Sequence, residues 1–417
     1  MYFESVIGYK AIKLELSRIL DQLIYPDKYA ALGVTEPHGL LLHGVPGVGK
    51  STMAHSVVKA CGRASFVCRK DKSNGDFVKE IVHIFDEAEK NAPSVIFLDD
   101  LDKFANEDIY HKDSEEFVTV QACIDRVEDK RVFVVATANN ICKLPDSLIR
   151  PGRFDNVLKL DCPSGQDAED IVAYYIAKKS YIADMDVKRI ARLLEGRSCA
   201  ELETVINQAG AYAAFDSRAQ VEMKDMIKAI LRIIFEAPES FTQDPASLPL
   251  TACHEAGHAL VAELLEPDSV NLVTVLNHDS NAAGITSLHR DDEYFHHKSM
   301  MENRVKCLLA GKAAVEICYG TVDTGANSDL HRAFDIVARF VDNYCSYGFG
   351  QFVFDYTSSN EVLDRRDSRV AADMEHFYSQ TKQIIIDNRA KLDKLTARLI
   401  EEKTLLGDQV QAIVRCA

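Results

Sequence analysis

The feature that most constrains the fold of this chain is a glycine-rich loop between an apolar run and a helical pattern. The loop, Gly44-Val45-Pro46-Gly47-Val48-Gly49-Lys50-Ser51, follows Leu40–His43 and matches GxxxxGK(S/T). Glycines let such a loop wrap phosphate with backbone N–H groups, and the helix that begins there adds its dipole. Lys50 would reach the outer phosphates and Ser51 would ligate Mg²⁺. The loop predicts nucleotide binding; the alternative is a glycine-rich turn with a chance Lys-Ser.

Strand-like and helix-like segments alternate over about the first 160 residues. Four apolar runs predict buried strands: Leu40–His43, Ser65–Cys68, Val95–Asp99 and Arg131–Thr137. Three helical patterns lie between them: Lys50–Ala60, Asp76–Lys90 and Glu115–Val127. This alternation predicts an α/β fold, with a parallel sheet flanked by helices.

The pattern changes twice in the rest of the chain. From about residue 163 the strand signals fade, and apolar spacings of three and four predict a small helical unit. Three prolines, Pro238, Pro245 and Pro249, then predict a linker. Beyond it the chain is mainly α-helical, with a strand pair near Val270–Leu276 and Gly284–His289. The predicted domains are therefore 1–162, 163–236 and 251–417, with a linker at 237–250.

Composition excludes several classes of partner. The chain has 48 Lys and Arg against 64 Asp and Glu, a net charge of −16, so nucleic acid is a poor electrostatic partner. No apolar run approaches the ~20 residues of a transmembrane segment. The eleven cysteines form no CxxC pair and follow no secretory signal. We therefore expect a soluble cytoplasmic protein with reduced thiols, among which Cys68, Cys142 and Cys318 are buried.

Polar residues follow two of the predicted strands. Asp99 and Asp100 end the strand that begins at Val95, where an acid can support a metal and its water. Asn139 follows the next strand and could position an attacking water. Arg150 and Arg153 flank a Pro-Gly turn that suits the presentation of a guanidinium to a neighbour's γ-phosphate. The alternatives are carboxylates solvated at a strand end and a basic surface turn.

The segment His254-Glu255-Ala256-Gly257-His258 is an HExxH motif. Residues four apart share a helix face, so the two histidines can direct ring nitrogens at one cation. Glu255 lies one position round the helix, placed to take a proton from metal-bound water. The small residues Ala256 and Gly257 are expected to leave room near the metal. The alternative is a pair of surface histidines.

Spacing alone leaves the third metal ligand open. The metzincin extension is absent, because Val261 and Leu264 stand where its Gly and His belong. Asp329, in a turn that leads into a helix, is favoured because a first helical turn is rigid. His331 is a rival, although it points to another face. The other acidic candidates are Glu302, Glu316 and Asp323.

The order and spacing of the elements around the glycine-rich loop resemble an AAA+ ATPase. The resemblance implies that Asp99 is the Walker B aspartate, Asn139 the sensor asparagine, and Arg150 and Arg153 arginine fingers that act on the next subunit of a ring. Gly196–Glu201 resembles the start of the family's lid helix. The residues implied to bind ATP and Mg²⁺ are Ile7, Gly8, Gly44, Val45, Pro46, Gly47, Val48, Gly49, Lys50, Ser51, Thr52 and Asp99.

With HExxH and the later segment Thr324-Gly325-Ala326-Asn327-Ser328-Asp329, nearly the whole chain resembles the FtsH-type ATP-dependent zinc proteases. The resemblance implies that His254, His258 and Asp329 ligate Zn²⁺ and that Glu255 is the base. It also implies a homohexameric ring in which ATP hydrolysis feeds polypeptide substrates into an enclosed peptidase chamber. Gly284–His289 would then be the edge on which substrate lies as an added strand.

Three departures from that family lead to further predictions. The family's two N-terminal membrane spans have no counterpart here, which predicts a cytosolic relative or a truncated form. Asp100 stands where the family has a glutamate, and its shorter side chain predicts slow ATP hydrolysis. The family's aromatic–hydrophobic–glycine pore loop falls on Ser73-Asn74-Gly75, with Phe77 out of register, which predicts weak mechanical unfolding.

The leading prediction is an ATP-dependent zinc metalloendopeptidase. One alternative is a remodelling ATPase or chaperone whose peptidase half is mostly structural. The other is a zinc peptidase whose nucleotide module mainly assembles the ring.

Overall fold

The computed structural model describes residues 3–4, 6–71, 74–105, 114–179, 185–237, 246–276, 284–289, 297–322, 324–344 and 359–415. The chain divides into two compact units, 1–229 and 230–417, and the division falls within one helix. The finer domain boundaries expected from the sequence are not tested by this division and stay predictions.

The first unit contains a parallel sheet of five strands. They are β1 (Gly39–His43), β2 (Ala64–Arg69), β3 (Ser94–Asp99), β4 (Val132–Ala138) and β5 (Asn156–Lys159), arranged in the order β2-β3-β4-β1-β5. The central strands β3 and β4 are almost entirely buried, whereas the edge strand β2 buries only Cys68. All four predicted strands are present, and the parallel sheet is confirmed. The expectation that β2 is buried was wrong, because it has a neighbour on one side only.

Helices accompany the strands of this sheet. They are α1 (Lys10–Ile24), α2 (Pro26–Ala30), α3 (Lys50–Cys61), α4 (Asn74–Lys90) and α5 (Ser114–Val127). The helix α3 packs on β1, β3 and β4, while α4 packs on β2, β3 and α5. Of the three cysteines expected to be buried, only Cys68 is. Cys142 is exposed, because it lies in a short turn after β4, and Cys318 is half-buried.

Four helices follow the sheet, as the loss of strand signals predicted. They are α6 (Gly165–Ala177), α7 (Val187–Leu193), α8 (Cys199–Phe215) and α9 (Met223–Ile234). A capping box starts α8, because Ser198 accepts from the Glu201 backbone and the Glu201 side chain accepts from the Ser198 backbone. The cap fixes the first turn of α8, which reaches the glycine-rich loop described below.

The second unit is mainly α-helical. Its helices are α10 (Leu248–Leu265), α11 (Lys298–Tyr319), α12 (Asn327–Asp342), α13 (Asn360–Asp387), α14 (Arg389–Glu402) and α15 (Gly407–Arg415). A small antiparallel sheet has the order β7-β6-β8, formed by β6 (Val270–Thr274), β7 (Ile285–Leu288) and β8 (Thr404–Leu406). The predicted strand pair is present, whereas β8 was not expected.

The core of this unit lies around α10. This helix packs against α11, α14, α15 and β6, and 13 of its 18 residues are buried. Pro249 does not interrupt α10, because it occupies the first turn, where a helix needs no backbone donor. Among the described residues, no helix combines the length and the apolar character needed to cross a membrane.

Candidate functional site

The glycine-rich loop lies between β1 and α3, as predicted. Gly44, Gly47 and Gly49 all have positive φ angles, a backbone conformation that glycine adopts without strain. A side chain at Gly47 would place its Cβ 2.9 Å from the Cβ of Ala200 in α8. The Ala200 N–H donates to the Gly47 carbonyl at 3.1 Å. The start of α8 therefore contacts the loop directly, and its role as a lid helix stays a prediction.

Lys50 and Ser51 begin α3 and face the carboxyl end of β3. The Lys50 ammonium is buried and donates to the carbonyls of Gly44 and Val45, both at 2.8 Å. The Ser51 hydroxyl donates to Asp99 Oδ1 at 3.0 Å. A hydroxyl and a carboxylate at this separation form the kind of oxygen pair that holds hydrated Mg²⁺.

A threonine on the neighbouring strand contacts both Asp99 and Asp100 and was not expected from the sequence. Thr137, at the end of β4, donates to Asp99 Oδ1 at 2.9 Å and accepts from the Asp100 N–H at 2.9 Å. These two hydrogen bonds hold Asp99 and Asp100 against β4. The available signal was a single hydroxyl near the end of an otherwise apolar run.

Asp100 is held from two sides. Its Oδ1 accepts from the Asn139 side chain at 3.2 Å, and its Oδ2 accepts from the Lys103 ammonium at 2.5 Å. Asp102 accepts from the backbone N–H groups of Asn139 and Asn140 and so fixes the loop that carries the asparagine. The structure brings Asp100 and Asn139 together, and it adds Lys103 to the site.

The two candidate arginine fingers have opposite environments. Arg150 is exposed, and among the described residues its side chain makes no hydrogen bond. Arg153 is only 3% exposed; its guanidinium donates to both Asp125 oxygens, at 2.6 and 2.8 Å, and to the Ser147 carbonyl. In this conformation Arg153 is bound inside its own chain and is not presented to a neighbour.

The remaining predicted nucleotide residues lie around the same loop or at the N-terminus. Ile7 is half-buried, and Gly8 approaches α6, where an added Cβ would lie 3.1 Å from the Asp167 carbonyl. Val48 is buried, whereas Val45, Pro46 and Thr52 are exposed.

The expected pore-loop position is described only in part. Ser73 lies outside the described residues, while Asn74 and Gly75 begin α4. The nearby Phe77 is fully buried, with its ring edge-on to Phe104 at a centroid distance of 5.1 Å. Its ring belongs to the core.

The two histidines of HExxH and Asp329 converge in the second unit. His254 and His258 lie one turn apart on α10, with their Nε2 atoms 3.0 Å apart. Asp329, in the first turn of α12, places Oδ2 3.5 Å from His254 Nε2 and 3.2 Å from His258 Nε2. Two ligands of tetrahedral zinc lie about 3.3 Å apart. These three donors fit such an ion, and they form the only candidate metal cluster among the described residues.

Hydrogen bonding and charge support this donor set. The Nδ1 of His258 lies 2.6 Å from the Cys307 carbonyl, to which it donates, so Nε2 keeps the lone pair that ligates metal. Burial acts to raise the pKa of Asp329, but the interactions with His254 and His258 outweigh it and hold the pKa below the usual range. The carboxylate form that binds a cation is therefore favoured.

The room for an ion comes from a glycine on a different helix. A Cβ at Gly311, on α11, would lie 2.4 Å from His254 Nε2 and 2.5 Å from His258 Nε2. The expectation that Gly257 provides this room was wrong. A Cβ at Gly257 would instead lie 2.7 Å from the Ala310 carbonyl, so that glycine allows α10 and α11 to pack closely.

Glu255 is almost completely buried beside the histidines. Burial raises the pKa of its carboxyl above the ordinary value, and the two histidines and a hydrogen bond from Thr286 only partly offset the effect. The Thr286 hydroxyl donates to Glu255 Oε2 at 2.7 Å. A carboxylate with raised basicity is suited to accept and return a proton.

The rival third ligands lie elsewhere or fall outside the described residues. Glu316 accepts from Tyr378 and lies 3.3 Å from the Lys382 ammonium, and His331 is exposed. Glu302 pairs with Lys298 at 3.6 Å. Asp323 is not among the described residues.

These features define a class: an AAA-type nucleotide-binding domain followed by a metallopeptidase domain of the HExxH type. Residues 40–162 match the family model of the ATPase family associated with various cellular activities, and residues 242–413 match that of peptidase family M41. The ATP-dependent zinc metalloprotease FtsH 1 of Thermoanaerobacter sp. is 31% identical over 99% of this chain and 72% of that protein. FtsH of Chloroflexus aggregans is 30% identical over 99% and 68%, and FtsH 1 of Thermomicrobium roseum 29% over 99% and 68%.

The chain belongs to the FtsH family of ATP-dependent zinc metalloproteases. The predicted family and fold class are thereby confirmed, and membership implies Zn²⁺, ATP and Mg²⁺ as cofactors. The roles of individual residues stay predictions.

Proposed function

We propose that this chain is an ATP-dependent zinc metalloendopeptidase that degrades polypeptides as a homohexameric ring. The observation that carries the proposal is the set of three donor atoms, spaced 3.0 to 3.5 Å apart, beside the buried carboxylate of Glu255. Two imidazole nitrogens and one carboxylate leave a fourth position of zinc open, as in catalytic sites.

In this mechanism His254, His258 and Asp329 would hold the ion. Bound zinc would supply Lewis-acid activation of a water and of the scissile carbonyl. Glu255 takes the proton of the attacking water and delivers it to the nitrogen of the leaving amine. Its burial favours this exchange, because a carboxylate in a dry site is more basic. Within the described part of the chain, β7 is an edge strand of its sheet, to which an extended substrate could add as a further strand.

The ATPase half of the proposal assigns slow hydrolysis to this chain. Lys50, Ser51 and Asp99 would bind the phosphates and Mg²⁺. Asp100 is one methylene shorter than glutamate, and both of its oxygens already accept hydrogen bonds, from Asn139 and Lys103. A base that is displaced from the attacking water loses up to about 10²-fold in rate.

The ring assembly is supported by the exposure of Arg150. Its guanidinium makes no side-chain hydrogen bond to the described part of its own chain and is available to a γ-phosphate across a subunit boundary. Weak unfolding is supported by the pore-loop composition and by the burial of Phe77, which cannot grip a substrate from the core.

Casein hydrolysis with and without ATP and a zinc chelator tests the main proposal. Cleavage that needs both ATP and zinc is expected. ATP hydrolysis without any cleavage would instead favour a remodelling ATPase. Cleavage that needs zinc but not ATP would favour a peptidase whose nucleotide module mainly assembles the ring.

The slow-hydrolysis proposal is tested by the ATP turnover of Asp100→Glu. The longer side chain is expected to raise turnover by up to about 10²-fold. Turnover equal to or below wild type would refute the proposal. For unfolding, a tightly folded reporter and its unstructured counterpart are compared as substrates; efficient degradation of the folded form would contradict weak unfolding.

A further inference from the structure

Strand β7 is an edge strand of its sheet, and one of its residues also contacts the carboxylate of Glu255. The Thr286 hydroxyl lies 2.7 Å from Glu255 Oε2 and 3.2 Å from the backbone carbonyl of the same residue. A hydroxyl carries one proton, and the shorter, charge-assisted bond to the carboxylate takes it. Thr286 therefore fixes one of the two carboxylate oxygens.

The residue that directly precedes β7, Gly284, approaches the same side chain. Gly284 lies two positions before Thr286, and residues two apart in an extended chain point to the same side. A Cβ at Gly284 would lie 2.7 Å from Glu255 Cγ and 2.9 Å from Oε1. The carboxylate is thus bonded on one side and closely confined on the other, which restricts a side chain that otherwise rotates about three bonds.

The position of Thr286 is set by the sheet. Thr286 pairs with Val273 and Ile285 pairs with Thr274, on a strand that is buried along its whole length. Thr274 is itself held by the Thr404 hydroxyl at 2.9 Å. The hydroxyl that contacts Glu255 therefore belongs to a rigid element and not to a loop.

We propose that Thr286 is a positioning residue for the peptidase reaction. Its hydroxyl holds Oε2 of Glu255, and Oε1 is thereby left to take the proton of the attacking water and pass it to the leaving amine nitrogen. The inference rests on the proposed peptidase function. Because β7 also offers the edge for substrate, one strand then sets the position of both the base and the peptide.

The test compares Thr286→Val, which removes the hydroxyl at nearly constant volume, with Thr286→Ser, which keeps it. The full chain is assayed with an unstructured fluorogenic peptide, and zinc content is measured in parallel. Thr286→Val is expected to lower kcat about 10- to 100-fold with KM and zinc content unchanged. Thr286→Ser is expected to recover kcat to within about threefold of wild type. Thr286→Ala replaces the valine variant if that variant does not fold.

Crystal structures of the same variants provide a readout that is independent of activity. Glu255 is expected to keep one orientation in wild type and Thr286→Ser, and to adopt others in Thr286→Val. Equal losses of kcat in the serine and valine variants, a change in KM alone, or an unmoved Glu255 in Thr286→Val would each overturn the inference. If the wild type shows no zinc-dependent cleavage, the proposed function fails, and the crystal structures still decide whether Thr286 holds Glu255.

Discussion

The metal site and the nucleotide site of this chain differ in what their charged groups contact. At the metal site His254, His258 and Asp329 direct their donor atoms at a common point. At the nucleotide site Lys50 donates to the carbonyls of its own loop, and Asp100 accepts from Lys103 and Asn139. The metal donors need little rearrangement to bind an ion, whereas the nucleotide groups must exchange existing bonds for bonds to phosphate and water.

This difference follows from the elements that carry each site. The metal donors lie on α10 and α12, and both helices pack against α11, which fixes the orientation of the donors. The nucleotide groups lie in or beside loops at the carboxyl ends of strands, where side chains have more freedom to change partners. We therefore expect substitutions to act on the two sites in different ways.

The largest expected effect is that of Glu255→Gln. The amide cannot take a proton from water, so peptide turnover should fall by about 10³-fold, within the range of general-base catalysis. Zinc content and ATP turnover should stay at wild-type levels, because Glu255 is not among the three donors. Peptide and ATP turnover with metal analysis check this, and peptide turnover within tenfold of wild type would remove Glu255 from the mechanism.

The two arginines provide the next comparison. Arg150→Ala should lower ATP turnover by about 10³-fold without changing the melting temperature, because an arginine finger acts on a neighbour's phosphate. Arg153→Ala should instead destabilise its unit by about 1–2 kcal/mol, because the buried guanidinium binds Asp125 and the Ser147 carbonyl. Thermal unfolding and ATPase assays separate the two roles. If Arg153→Ala keeps the wild-type stability but loses ATP turnover, Arg153 would again be the candidate arginine finger.

Two glycines near the metal site are expected to differ in the property that their substitution changes. Gly311→Ala should weaken zinc binding by about 10- to 100-fold, because its methyl group would displace both Nε2 atoms. Gly257→Ala, the matched control, should cost about 1–3 kcal/mol of unfolding free energy by forcing α10 from α11. Zinc titration and denaturant unfolding of both variants measure these effects. Stronger zinc loss in Gly257→Ala than in Gly311→Ala would reverse the assignment.

The smallest expected effect concerns Lys103. Its exposed ammonium pairs with Asp100, and such pairs contribute up to about 1 kcal/mol. Lys103→Gln should therefore raise ATP turnover by no more than about fivefold. Lys103→Arg, which keeps the charge, serves as the control and should stay near wild type. A fall in turnover for Lys103→Gln would mean that the lysine assists hydrolysis.

Some of these sites could be predicted from the sequence because their signals are local. The loop at Gly44–Ser51 and the HExxH helix are contiguous, and strand–helix alternation reports the parallel sheet directly. The third metal ligand had no such local signal. Asp329 lies 71 residues after His258, and the residues themselves left several acids open until the family resemblance selected one.

Other features depend on contacts between distant segments. Arg153 lies in a turn, and its buried guanidinium pairs with Asp125 of α5. The room at the metal site comes from Gly311 and not from the glycine inside the motif. Strand β2 is largely exposed because it lies at the edge of the sheet, although its composition predicted burial. None of these contacts has a signature in the neighbouring sequence.

Local sequence was enough to predict the phosphate loop, the metal-binding helix and the parallel sheet, because each has its signal in adjacent residues. The side chains that complete each site come from distant segments and were found only in the folded chain. Thr286 reaches Glu255 across 31 positions of chain, and Thr137 reaches Asp99 across 38. Such pairs form because strands and helices pack in three dimensions, and local spacing carries no information about that packing.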